Sequence, residues 1–214
     1  MPKQRIFIAV QIPDSLKNIL EKELEKRLNK KSENSSRKNL IRFIKKENWH
    51  ITVSFLGYLS SEEIEIIKKI IAEETTGINP FYLQPEKIIW APYGPIKRMI
   101  WLDFKKSPQF EKLKNNIENA IISWQKENYF NNFKREQRQN NVHLTLAKFE
   151  PRIFKNIQKT IPPQGIFLKE KGDLEVKNVD IMESRLSGDG AEYKTVLKIF
   201  FSSDSLNEPA TNYF

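Results

Sequence analysis

The sequence predicts an α+β protein with two similar lobes of antiparallel sheet, helices packed outside, and a central cleft between the lobes. Two strand-like segments of the same pattern, residues 49–57 and 142–148, lie far apart along the chain. Each half also contains an amphipathic helix, and the strands join through hairpins rather than strict alternation with helices. No Gly- or Pro-rich linker separates the halves, so we predict one bilobal domain over residues 1–214, with a polar tail from about residue 202.

The first half begins with an apolar run of strand length, residues 5–12. Residues 13–15 form a helix start signal. The helix that follows carries one apolar stripe: Leu16, Ile19, Leu20, Leu24 and Leu28. Residues 29–39 are polar without a period and predict a loop, and residues 41–44 predict a short strand before the strand at 49–57.

A second helix is predicted from Ser60, where acidic residues follow a serine cap, to about Thr75. Residues 77–80 contain Gly and Pro and end it. Two strands then follow, residues 81–90 and 97–104, joined by a turn-rich segment.

The second half repeats this arrangement. A helix follows Ser107-Pro108 and carries one apolar stripe: Phe110, Leu113, Ile117, Ala120, Ile121 and Trp124. Residues 134–141 predict a basic loop that leads into the second histidine strand, and residues 151–160 a short helix. Residues 174–187 and 191–201 predict a hairpin around a Gly-Asp-Gly turn.

His50 and His143 are the only histidines in the chain, and a threonine follows each of them two positions later, Thr52 and Thr145. Side chains at i and i+2 of a strand point to the same face, so each strand presents an imidazole and a hydroxyl together. A lone histidine on a strand is more often structural. With only seven threonines among 214 residues, chance gives both matches about once in 900 cases, which favours a joint function.

Two histidines of near-neutral pKa can hold opposite protonation states, so that one accepts a proton while the other donates one. This suits in-line displacement at phosphorus, where the attacking oxygen loses a proton as the leaving oxygen gains one. The hydroxyls of Thr52 and Thr145 are placed to hydrogen-bond the phosphoryl oxygens. The sequence has no P-loop, no G-x-G-x-x-G, no G-x-S-x-G and no H-E-x-x-H.

Composition narrows the possible partners. Lys and Arg number 36 against 27 Asp and Glu, and this net charge of +9 favours a polyanion such as RNA, or equally a solvated basic surface. Cysteine is absent, which excludes disulfides and cysteine-based zinc sites, and with two histidines we expect neither metal nor cofactor. The apolar run at residues 6–10 is too short for a signal peptide, and we expect a cytoplasmic monomer without a membrane span.

Other residues could contact an RNA ligand. Four aromatic residues are expected mainly in the core, with room for one or two to stack on a base: Trp49, Phe55, Trp90 and Trp101. Lys134, Arg135 and Arg138 could meet a phosphate backbone, although a solvated loop is the ordinary interpretation of such a run.

Around these motifs the chain resembles the two-histidine phosphoesterase superfamily, and within it the RNA 2′,3′-cyclic phosphodiesterases, historically called 2′-5′ RNA ligases. The resemblance extends over nearly the whole chain. It is carried by residues 5–10 with Pro13, 47–57, 98–102, 143–148 and 183–193.

The resemblance implies hydrolysis of a 2′,3′-cyclic phosphate on an RNA end to a 2′-phosphomonoester, with His50 as proton donor and His143 as proton acceptor. It also implies that Phe55 and Lys148 contact the ligand. Because strict alternation would put both on the opposite face, they reach the site only if each strand ends or bulges before them. Two alternatives stay open: the reverse reaction, a 2′-5′ ligation, and a non-catalytic module that binds RNA ends.

Overall fold

The computed structural model describes residues 3–28, 41–128, 133, 141–162, 164–168, 172–187 and 190–201. The loop predicted at 29–39, the basic residues 134–138, the turn at 188–189 and the polar tail from 202 lie outside the described residues.

Helices interrupt the strands along most of the chain, and four strands follow one another at its end. The strands are β1 (Gln4–Gln11), β2 (Ile41–Phe43), β3 (His50–Leu59), β4 (Phe81–Leu83), β5 (Pro85–Ala91), β6 (Met99–Phe104), β7 (His143–Phe149), β8 (Ile166–Phe167), β9 (Leu174–Val176), β10 (Asn178–Ser187) and β11 (Gly190–Phe200). The helices are α1 (Asp14–Leu28), α2 (Ser61–Thr75), α3 (Pro108–Glu127) and α4 (Phe154–Ile157). Short 3-10 turns lie at Lys46–Asn48, Pro151–Ile153 and Gln158–Thr160.

Helix starts follow the capping chemistry that the sequence predicts. The Ser60 hydroxyl accepts a hydrogen bond from the Glu63 amide, and the Glu63 carboxylate accepts one from the Ser60 amide, which completes a capping box. The Ser107 hydroxyl likewise accepts from the amide of Phe110 at the start of α3, where Pro108 occupies the first turn. Both helices therefore begin where the sequence places them.

The large sheet confirms the predicted α+β class with two similar halves. Its strand order is β11-β10-β1-β3-β7-β6-β5-β8, with β2 also paired to β7, and every recorded pairing is antiparallel. Between β3 and β7, among the described residues, the register consists of a single pair, Ile51 opposite Leu144. One half therefore has four strands, β11-β10-β1-β3, and the other has five, β7-β6-β5-β8 with β2, and the halves adjoin at the two histidine strands.

Three predicted strand boundaries are wrong. Residues 81–90 form two strands, because β4 leaves the large sheet to pair with β9 and β5 restarts at Pro85, which has no amide hydrogen to donate. Lys177 likewise separates β9 from β10. The strand predicted from residue 97 begins at Met99, since the Arg98 amide donates to the Ala91 carbonyl and closes the turn.

One face of the large sheet packs against the main hydrophobic core, and the opposite face is separate from it. On β1, Ile6, Ile8 and Val10 belong to the main core, whereas the intervening Phe7 and Ala9 form a small cluster with Met182. On β6, Ile100, Leu102 and Phe104 are in the main core and Trp101 is in another small cluster. This alternation defines the face on which the cleft lies. In the part of the chain that is described, no helix is long and apolar enough to cross a membrane.

Candidate active site

The two histidine–threonine motifs lie on β3 and β7, the neighbouring strands at which the two halves of the sheet adjoin. Ile51 and Leu144, paired across β3 and β7, are each only 1% exposed and point into the core. The residues on either side of them therefore face the cleft, and His50, Thr52, His143 and Thr145 all line one cavity of about 850 Å³. Each imidazole shares its face of the strand with the threonine hydroxyl of its own motif.

Both imidazole rings are held by a backbone carbonyl two residues earlier. Nδ1 of His50 lies 2.8 Å from the carbonyl oxygen of Asn48, and Nδ1 of His143 lies 2.8 Å from that of Asn141. Because a carbonyl oxygen can only accept, each Nδ1 carries the hydrogen and Nε2 is left for proton exchange in the cleft. Asparagine precedes both histidines by two positions, so the repeated pattern is Asn-x-His-x-Thr rather than His-x-Thr alone.

A β-bulge follows each motif at the same position. Between the pairs Ala9–Thr52 and Ile8–Ser54, β3 contains the extra residue Val53, three positions after His50. Because the extra residue shifts the alternation, Phe55 comes to face the cleft, opposite Phe7.

The second histidine strand, β7, contains a bulge at the equivalent position. Between the pairs Trp101–Thr145 and Ile100–Ala147, β7 contains the extra residue Leu146, again three positions after the histidine. Lys148, opposite Met99, therefore lines the cavity with His143. The geometric condition for Phe55 and Lys148 to reach the site is thus met in both strands; their contact with a ligand stays a prediction.

The two histidines have different neighbours. The His143 ring stacks on Trp101 at 3.7 Å between centroids and 18° between planes. Asp103 lies directly opposite His143 on β6, and the Tyr93 hydroxyl donates a hydrogen bond to its carboxylate. A carboxylate at this position stabilises a positive charge on His143.

His50 has aromatic and neutral neighbours instead. The rings of Phe7 and Tyr193 each lie 5.0 Å from its imidazole, and Gln11 lies directly opposite on β1. Burial lowers the pKa of His50, the carbonyl of Asn48 opposes this, and the positive charges of His143 and Lys148 lower the pKa further. The charged form of His50 is therefore disfavoured in the free protein.

Several cleft residues were not found from the sequence. Trp101 is buried as expected, yet it lies on the cleft side rather than in the main core. Phe55 is one of the aromatics outside the core, since its side chain is 51% exposed and lines the cavity, whereas Trp49 and Trp90 are core residues. Trp101 and Asp103 are two positions apart on β6 and therefore lie on one face. This pattern identifies a site only when β7 is known to be the neighbouring strand. Three further cleft residues were missed: Phe7, Tyr93 and Tyr193.

Among the described residues, no group of three or more histidine, cysteine, aspartate or glutamate side chains is arranged to hold a metal ion. The functional groups in the cleft include two imidazoles, two threonine hydroxyls, two ammonium groups and two guanidinium groups.

Comparisons with known proteins show what the whole chain is similar to. Residues 19–90 match the family model of the LigT-like phosphoesterases. The chain is 25% identical over 198 residues to an RNA 2′,3′-cyclic phosphodiesterase of Archaeoglobus fulgidus, covering 92% of this chain and 99% of that protein. It is 25% identical over 194 residues to the enzyme of the same name from Methanocaldococcus jannaschii, covering 90% of this chain and 98% of that protein.

Solved structures establish the fold. TT0787 of Thermus thermophilus superposes with a TM-score of 0.70 at 15% identity, and apo LigT of E. coli with 0.68 at 16%; each match covers 94% of this chain and 99% of the other. These structures share the α+β fold of this chain. By sequence, the chain is similar to the LigT-like phosphoesterases over residues 19–90 and to these two RNA 2′,3′-cyclic phosphodiesterases over nearly its whole length.

Proposed function

We propose that this protein hydrolyses the 2′,3′-cyclic phosphate at the end of an RNA chain to a 2′-phosphomonoester, using His50 and His143 and no metal ion. The observation that carries the proposal is the convergence of both His–Thr pairs on one cavity at the joint between β3 and β7. The relatives named RNA 2′,3′-cyclic phosphodiesterases, matched over nearly their whole length, support the choice of substrate.

In the proposed reaction, water attacks phosphorus in line with the 3′ oxygen. His143 takes a proton from the water as the new P–O bond forms, and His50 gives a proton to the 3′ oxygen as the P–O3′ bond breaks. The products are a 2′-phosphate and a free 3′ hydroxyl. The hydroxyls of Thr52 and Thr145 donate to the non-bridging oxygens, where negative charge increases in the transition state.

The neighbours of each histidine support these roles. When His143 accepts the proton, the carboxylate of Asp103 stabilises the imidazolium that forms, as a buried aspartate does for the base of a catalytic triad. The lowered pKa of His50 makes its protonated form a good donor. An anionic substrate beside His50 raises that pKa and favours the protonated form that proton donation requires.

Phe55 and Lys148 complete the proposed binding site. The half-exposed ring of Phe55, on the cleft face, is placed to stack on the terminal base. The ammonium group of Lys148 lies close enough to His50 to lower its pKa, so it is positioned to contact a phosphoryl oxygen beside that histidine.

The direct test is turnover of a nucleoside 2′,3′-cyclic phosphate in excess EDTA. We expect the 2′-phosphate isomer as product, and we expect both His50→Ala and His143→Ala to abolish most of the rate. Activity that disappears in EDTA and returns with a divalent ion would contradict the metal-independent mechanism. Binding without turnover would identify a non-catalytic module.

A sulfur-substituted substrate tests which histidine is the acid. With sulfur in place of the 3′ bridging oxygen, the leaving thiolate needs almost no proton. On this substrate His50→Ala should recover much of its lost rate, whereas His143→Ala should not, because water must still be deprotonated. Recovery only in the His143 variant would reverse the assignment, and recovery in neither would mean that the histidines do more than transfer protons.

A further inference from the structure

Three cations in the cleft have no acidic partner among the described residues. Arg5 on β1, Arg42 on β2 and Lys148 on β7 all line the cavity that contains both histidines. Arg42 and Lys148 lie directly opposite each other in the β2–β7 pairing. Within the ranges that the structure describes, none of the three forms an ion pair, although other lysine and arginine side chains do.

These cations lie close enough to repel one another. Burial lowers the pKa of Lys148, and the charges of Arg42 and then Arg5 lower it further. The same two arginines act on Tyr193, whose ring contacts His50 edge-on: they oppose the rise that burial produces in its pKa. Grouping like charges costs free energy, which a bound anion would recover.

The number of cations exceeds what the reacting phosphate needs. A 2′,3′-cyclic phosphate is a diester with one negative charge, and Lys148 with the hydroxyls of Thr52 and Thr145 can satisfy it. Arg5 and Arg42 then remain without an anion. The cavity has a volume of about 850 Å³, near the upper end of the range for small-ligand sites, about 300–1,000 Å³.

We propose that Arg5 and Arg42, next to Lys148, form a second anion site that binds the phosphate on the 5′ oxygen of the terminal nucleotide. This inference rests on the proposed function for the position of the first phosphate. Guanidinium groups suit this task because their planar donors match phosphate oxygens in pairs. The site therefore selects RNA ends, whose terminal nucleotide carries that phosphate as a diester, over nucleoside 2′,3′-cyclic phosphates, which lack it.

Three substrates separate the possible sources of the second phosphate. They are a nucleoside 2′,3′-cyclic phosphate, its 5′-phosphorylated form, and a dinucleotide that ends in a 2′,3′-cyclic phosphate. For the wild-type protein we expect kcat/KM to be about 10- to 100-fold higher for the second and third than for the first, the range for contacts to a charged group. A gain with the dinucleotide alone, if Arg42→Gln removes it, identifies the internucleotide diester as the ligand.

The arginine variants test the residues. Arg42→Gln and Arg5→Gln should reduce the advantage of the two substrates with a second phosphate at least about tenfold. Both side chains are exposed, so folding should persist. Arg152→Gln is the matched control, since this arginine is exposed, lies outside the cleft and carries the same charge. Equal kcat/KM on all three substrates, or an advantage that survives in both arginine variants, would overturn the second site.

Binding provides a readout independent of turnover. Calorimetry should show that adenosine 2′,5′-bisphosphate binds more tightly than adenosine 2′-phosphate, and that Arg42→Gln removes the difference. If no cyclic substrate is hydrolysed but this difference is present, the proposed function fails and the anion site stands. If hydrolysis occurs and the difference is absent, the anion site fails alone.

Discussion

Ile51→Ala should damage both stability and activity, because Ile51 joins the two halves of the sheet and lies between His50 and Thr52. Its side chain is 1% exposed, and its partner Leu144 is the residue through which β3 pairs with β7 in the described strands. The substitution removes three buried carbon groups, about 2.4 kcal/mol at about 0.8 kcal/mol each. The cavity left behind raises the expected loss to about 3–4 kcal/mol.

Activity should fall further than stability alone explains. Backbone collapse into the cavity moves the imidazole of His50 relative to that of His143, and a displacement of about 1 Å can cost about 100-fold in rate. Ile71→Ala provides the matched control. Ile71 is 0% exposed and lies in α2, away from the cleft, so it should lose similar stability without losing kcat/KM.

Urea denaturation of both variants gives the stability change, and kcat/KM is then measured where circular dichroism shows both to be folded. We expect a similar loss of stability in the two variants and at least about a tenfold lower kcat/KM for Ile51→Ala alone. Equal kcat/KM in the two variants would refute the idea that the Ile51–Leu144 pair sets the spacing of the histidines.

Two further predictions concern the cleft. Thr52→Val and Thr145→Val keep the shape of each side chain and remove the hydroxyl. Each should lower kcat/KM about 10- to 1000-fold, the effect of one lost oxyanion donor. Unchanged kinetics in both variants would mean that the threonines have a structural role only. Since the chain has two histidines, proton NMR resolves both, and His50 should titrate below the ordinary histidine value because burial and nearby cations disfavour its charged form. Lys148→Met should move that titration to higher pH, and a downward shift or none would show that the ammonium group does not act on His50.

Local sequence determined the elements on which the site is built. The alternation around each histidine predicted β3 and β7 and placed each threonine on the histidine's face, because a strand's side-chain period depends only on its own residues. The serine caps of α2 and α3 were readable for the same reason: a cap needs only groups within one helical turn. The resemblance to the two-histidine phosphoesterases also rested on residues within these short segments.

Pairing between distant strands decided the rest. Val53 and Leu146 are ordinary apolar strand residues, and they become bulges only because β1 and β6 supply one residue where β3 and β7 supply two. These bulges turn Phe55 and Lys148 toward the cleft. Asp103 became a neighbour of His143, and Gln11 of His50, through the same long-range pairing. The near-identical motifs thus acquire different electrostatic surroundings from their neighbouring strands, which no pattern within either motif contains.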